Sequence, residues 1–174
     1  MGRDHVPEGT RADFDQLFCS LLPRLYRRAA LLVEQALAED VVHEAYLKLA
    51  TRPARFLAHP EPYAYAFATM VSVVRDRWRR GRRQIPVAEL DEGAEGALDG
   101  GLGWQEGVWE ARRLLAGLAP REAAAVLLVD LDGYTIDQAA AILKVHRGTV
   151  SRARSRALDK LRRLEQSNVG RRTR

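Results

Sequence analysis

Cysteine is nearly absent. The single residue, Cys19, excludes a disulfide framework or a multi-cysteine metal site within these 174 residues, and it agrees with a reducing cytoplasm. Cys19 falls in an apolar helical stretch and reads as a core residue. The four histidines, His5, His43, His59 and His146, are scattered. No paired-carboxylate metal site, nucleophile elbow or phosphate-binding loop accompanies them, so no catalytic residue, metal or cofactor is expected and the chain does not read as an enzyme. No apolar run approaches the roughly 20 residues of a membrane span, and the first residues lack a charged-then-apolar leader pattern. These absences predict a cytoplasmic protein with no membrane insertion. Strand alternation and internal repeats are missing as well.

Hydrophobic residues make up 47% of the chain and charged residues 29%, the balance of a folded protein, and the formal net charge of +5 points to an anionic partner. Apolar spacing is helical almost throughout. Phe14, Leu17, Phe18, Leu21, Leu25, Ala29, Leu32 and Val33 form one stripe, with Thr10 and Asp13 placed to cap its start and Pro23 predicting a kink or break near Leu22. A second helix is predicted over Leu37–Ala50, with Leu37, Val41, Ala45 and Leu49 facing inward. Pro53, Pro60 and Pro62 mark a loop. A third helix follows from Pro62 to about Arg80, its apolar face carried by Tyr63, Phe67, Met70, Val71, Val74 and Trp78. Residues 84–103 hold five glycines, five acids and no basic residue, and read as an extended acidic linker. Helices are predicted again from Trp104 to Ala116, from Pro120 to Leu131 with Gly133 as the stop, and over Thr135–Leu143, which opens on a Thr135–Gln138 capping box. The last runs from Arg147 to Gln166, before a basic tail over 167–174. The expected fold is all-α: two small helical domains, 10–83 and 104–166, joined by a flexible acidic linker at 84–103, the second a helix-turn-helix domain.

Three stretches carry function. RDRWRRGRR, Arg75 to Arg83, has six arginines in nine residues. So dense a run of one sign repels itself unless an anion is near. On a helix Ser72, Arg75, Asp76, Arg79 and Arg80 share the face opposite the apolar stripe and offer donors to phosphates and bases. In AEDVVHEAYLKL, Ala38 to Leu49, the residues Asp40, His43, Glu44 and Leu47 fall on one polar face, poor for DNA and suited to a protein partner; an ordinary solvated face has the same spacing. In TIDQAAAILKVHRGTVSRARSRALDKLR, Thr135 to Arg162, a short helix, a tight turn and a longer basic helix make a helix-turn-helix. Val150, Ala153, Ala157, Leu161 and Leu164 can pack inward, leaving Arg147, Thr149, Ser151, Arg152, Ser155 and Arg156 for DNA.

In this order and spacing the three stretches resemble the extracytoplasmic-function (ECF) group of bacterial RNA polymerase sigma factors, over roughly Asp13 to Arg163. The resemblance implies a sigma factor that binds core RNA polymerase and directs promoter recognition and transcription initiation. It implies that Asp40, His43, Glu44 and Leu47 contact the beta-prime clamp helices. It assigns Ser72, Arg75, Asp76, Arg79 and Arg80 to the promoter −10 element, and Arg147, Thr149, Ser151, Arg152, Ser155 and Arg156 to the −35 element. The beta flap and an anti-sigma factor join the implied partners. Some positions depart from the family pattern. His43 replaces a usual glutamine and Ser72 an asparagine. Lys144 stands for the turn glycine, His146 for a serine cap, Ala139 for a larger core residue and Arg154 for a packing leucine. These changes predict a second lobe that is less stable or leans on a partner. A helix-turn-helix regulator without sigma activity is the alternative; it accounts for the last helix but not for the Asp40 face or the acidic linker. A basic amphipathic membrane helix at Arg75–Arg83 is disfavoured by its glycine and by its continuity with the apolar stripe.

Overall fold

The structure, a computed structural model, describes residues 8–84 and 111–172, and among these no strand occurs. The first lobe comprises α1 (Glu8–Leu32), α2 (Gln35–Ala50), the short α3 (Pro53–Leu57) and α4 (Pro62–Gln84). The second comprises α5 (helical over 111–116), α6 (Pro120–Val126, continuing as a π-helical turn Leu127–Leu131), α7 (Ile136–Leu143) and α8 (Arg147–Arg172). The acidic stretch expected to be a linker lies outside the described residues, apart from Gln84 at the end of α4, and so does the predicted helix start at Trp104.

The first lobe closes around Phe14, Phe56, Phe67, Leu25, Met70 and Val41, all fully buried. Phe14 and Phe56 meet edge to face at 5.2 Å between ring centroids, a preferred aromatic geometry. Several expectations are corrected here. Helix α1 starts at Glu8, so Thr10 and Asp13 lie inside its first turns rather than capping it, and it runs unbroken through Pro23. Proline removes one intrahelical hydrogen bond, but Phe18 and Leu25 are buried on either side of it. The Pro53–Pro60 loop contains α3, with Pro53 at its first position, where the missing N–H costs nothing. Cys19 is exposed, one position round the helix from buried Phe18. Leu37 and Trp78 lie on the predicted faces but past the edge of the core: Val41 and Val74, one turn inward, are buried, whereas Leu37 and Trp78 are 40% and 41% exposed. Leu164 is likewise 40% exposed, and α8 continues past the predicted end, to Arg172.

The two lobes pack against each other: α4 lies on α6 and α7, α1 touches α6, and the buried apolar residues form one cluster. At this junction sits Asp132, directly after the π turn, with its side chain only 1% exposed. Three groups of the first lobe reach it: Arg28 at 2.6 Å, Arg24 at 3.0 Å, and the Tyr63 hydroxyl, which donates at 2.8 Å. The Arg24 guanidinium also lies 3.5 Å over the Tyr63 ring. A second polar bridge runs from Arg112 Nη1 to Gln35 Oε1 at 2.8 Å.

Burial alone would raise the Asp132 carboxyl, but hydrogen bonds from Arg28, Tyr63 and Arg24 outweigh it and hold the group below the ordinary carboxylate range. Burial and the same hydrogen bond push the Tyr63 hydroxyl far up, so it stays a donor. A carboxyl lowered on folding stabilises the native state above its unfolded value, about 3.9, and loses that contribution as pH falls through the folded value. The stability advantage of wild type over Asp132→Asn should therefore be constant from about pH 5 to 8 and shrink below about pH 4, measured by urea unfolding across pH.

Candidate core-polymerase and promoter interfaces

The α2 face is built on the buried row Ala38, Val41, Val42, Ala45 and Leu49, which turns Asp40, His43 and Leu47 outward and leaves Glu44 half-buried. Leu47 is 51% exposed. The acids are tied to α4. Arg77 bridges to Glu44 at 3.2 Å and to Asp40 at 3.8 Å, and Lys48 links Glu44 at 3.4 Å to Asp76 at 3.8 Å. Burial would raise the Glu44 carboxyl, but Arg77 and Lys48 lower it overall, so it is charged at neutral pH. His43 stacks loosely on Tyr46, with ring centroids 6.3 Å apart. Arg77, which the sequence reading left without a role, therefore couples the α2 face to the arginine-rich end of α4. Its offset from Arg75 and Arg79 was the available signal, since it points to a different side of the helix.

The −10 candidates divide. Arg79 and Arg80 are exposed, and Arg80 Nε donates to the Asp76 carbonyl at 3.4 Å. Ser72 and Arg75 are half-buried and line a cleft of 390 Å³ between the lobes, together with Lys48, Tyr65, Lys144 and Thr149. Arg75 donates weakly to Ser72 Oγ at 3.4 Å, and its Nε is buried with no hydrogen-bond acceptor.

The helix-turn-helix forms as its local chemistry dictates. Gln138 N–H donates to Thr135 Oγ1 at 3.2 Å and Thr135 N–H to Gln138 Oε1 at 2.8 Å, the reciprocal capping box. Lys144 ends α7 in the left-handed conformation, φ 52° and ψ 50°, the conformation in which a non-glycine residue costs about 1 kcal/mol. His146 takes over the serine cap: its Nδ1 accepts from Gly148 N–H at 3.1 Å at the start of α8. Arg154 is no gap in the core, because it pairs with Asp130 at 2.9 Å. Glu122, a second buried carboxylate, accepts from Lys160 at 2.7 Å and from Ala119 N–H at 3.0 Å. Burial opposes its charge, but these contacts lower its carboxyl overall. With Val150, Ala153 and Ala157 buried beneath, Arg147, Ser151, Arg152, Ser155 and Arg156 are exposed in one row, and Thr149 is half-buried toward the cleft.

Comparison with known proteins supplies the family. The Sigma-70 region 2 family model matches residues 17–84, and that for Sigma-70 region 4 matches residues 109–161. The ECF RNA polymerase sigma factor SigM of Mycobacterium tuberculosis is 31% identical over 165 residues, covering 90% of this chain and 79% of the relative. This chain belongs to the ECF sigma factors. Among solved structures, the sigma factor RpoE of Bartonella quintana, in complex with the anti-sigma factor NepR, superposes with a TM-score of 0.66 at 26% identity, covering 88% of this chain and 97% of that one. As a sigma factor the protein is a non-enzymatic subunit that binds core RNA polymerase and directs it to promoter DNA. Among the described residues no helix is long and apolar enough to cross a membrane.

The left-handed lysine makes a separable prediction. Lys144→Gly should raise stability by about 1 kcal/mol, or roughly 3 °C in melting temperature. Lys144→Ala, which keeps the strain, should gain nothing. A gain from both would assign the effect to the lysine side chain instead.

Proposed function

We propose that the two lobes divide the work of this sigma factor residue by residue. Lobe 10–83 carries polymerase binding and −10 recognition; lobe 104–166 carries −35 recognition and meets the beta flap. On α2, Asp40, His43, Glu44 and Leu47 bind the beta-prime clamp helices, an exposed leucine among hydrogen-bonding groups being suited to a protein interface. On α4, Ser72, Arg75, Asp76, Arg79 and Arg80 engage and help melt the −10 element. Trp78, exposed beside them, adds a ring on which an unpaired base can stack. On α8, Arg147, Thr149, Ser151, Arg152, Ser155 and Arg156 read the −35 element from the major groove. Residues 84–103 act as an acidic linker in the basic channel that later takes RNA. The protein works in the cytoplasm, where polymerase is, and an anti-sigma factor is a further partner by likeness to RpoE.

The observation that carries this reading is the α8 row: a capped turn holds five exposed arginine and serine side chains on one face while three small apolar residues anchor the other. Transcription of a fragmented genomic library by core RNA polymerase with and without the protein tests it. Discrete new transcripts sharing an upstream two-element pattern are expected. Absence of transcripts and of core binding by a folded protein would overturn it. On the promoters so found, Arg152→Ala should cost about 1–3 kcal/mol and relax preference at one −35 position. Arg79→Ala should weaken all promoters alike and flatten the salt dependence. Leu47→Ala should lower affinity for core polymerase and leave the promoter pattern unchanged.

A further inference from the structure

The acids assigned to core polymerase already carry cations of their own chain. Glu44 Oε2 accepts from both Nε and Nη2 of Arg77, each at 3.2 Å, and Glu44 Oε1 faces Lys48 Nζ at 3.4 Å. Arg77 Nη1 also stands 3.8 Å from Asp40, and Lys48 reaches Asp76 at 3.8 Å. Three carboxylates thus meet two cations, which leaves the cluster one net negative charge at neutral pH. A carboxylate can only accept hydrogen bonds, so a protein docking on Asp40 and Glu44 must bring donors or cations. Arg77 already sits in that role and repels an incoming cation.

Neither other use of an α4 side chain accounts for Arg77. It does not share the face of Ser72, Arg75, Asp76, Arg79 and Arg80; it turns toward α2 instead. It is not what holds α2 on α4 either. The apolar row Ala38, Val41, Val42, Ala45 and Leu49 and the buried Val73 and Val74 of α4 belong to one core. The Arg77–Glu44 pair is about one-third exposed on both sides, and a pair so open to water adds little to stability. With Arg77 neutralised, Glu44 keeps Lys48 on Oε1. The geometry of the face is retained while its net charge doubles.

We infer that Arg77 sets the affinity of this sigma factor for core polymerase, acting as an internal counter-ion that weakens docking on Asp40 and Glu44. The inference rests on the assignment of those two acids to the core-binding face. Its chemistry is electrostatic, so it acts chiefly on association and fades as salt screens the charges.

The test measures binding of the full-length protein to immobilised core RNA polymerase, without DNA, at about 50 mM and about 500 mM salt. Arg77→Gln should bind about fivefold tighter at low salt, mainly through faster association, and within about twofold of wild type at high salt. Arg77→Lys keeps the charge and loses the planar fork; it should match wild type within about twofold at both salts. Were Arg77 only a clamp that positions Glu44, both variants would bind more weakly at both salts, and that result overturns the inference. So does an unchanged affinity in Arg77→Gln, or a gain that salt leaves untouched. Circular dichroism melting identifies a glutamine variant that fails to fold, and Arg77→Met then takes its place. Glu44→Gln separates this inference from the assignment beneath it. Weaker binding by Glu44→Gln without a gain in Arg77→Gln overturns the counter-ion role alone. Undiminished binding by Glu44→Gln overturns the assignment of Glu44, and the counter-ion role with it.

Discussion

A carboxylate excluded from water must be paired, and Asp132 finds its partners in the other half of the chain. Each lobe has its own helices and apolar rows, but the side chain of Asp132 is closed off only when α1 and α4 lie against the end of α6. Arg28 and Tyr63 are drawn from α1 and α4 into one cluster by that single charge. Together with the apolar packing of α4 on α6 and α7 and the Arg112–Gln35 bridge, it fixes the placement of the lobes and the cleft beside Ser72 and Arg75. The π turn at Leu127–Leu131 delivers Asp132 to this position by adding a residue to the helix before Gly133 turns the chain at φ 75°.

Within the second lobe, substitutions that looked like losses in the sequence are offset by specific contacts. A histidine caps α8 through Nδ1 where a serine hydroxyl is usual. Arg154, at a position suited to a packing leucine, forms an ion pair with Asp130. Lys144 keeps the left-handed turn despite its Cβ, and its ammonium group lies near Tyr65 of the first lobe. The second lobe packs against the first through α4 on α6 and α7, Asp132 among Arg24, Arg28 and Tyr63, and Lys144 beside Tyr65.

Much of the fold was legible because helices advertise themselves locally. Phe14, Phe18, Leu25 and Ala29 recur at helical spacing and are buried as one stripe. The Thr135–Gln138 box and Gly133 marked turns whose hydrogen bonds and dihedrals are set within a few residues. Three misreadings share a cause. Leu37, Trp78 and Leu164 continue correct stripes beyond the place where another helix covers them, and periodicity does not say where a core ends. Pro23 signalled a break that packing on both sides of it overrides.

The sequence by itself determined the helical segments, the capped helix-turn-helix, the small apolar anchors of α8 and the density of arginine on α4, since each depends on residues within one or two turns of one another. It also contained enough motif order to indicate the family. Only the tertiary structure decided that Arg77 ties α4 to the acidic face of α2, that Asp132 is buried between lobes, and that Arg75 lines the cleft between the lobes with its Nε buried. Those contacts join residues 33 to 104 positions apart in the chain or depend on what covers a side chain from afar. Neither spacing nor composition records such long-range placement; it follows from the packing of whole elements.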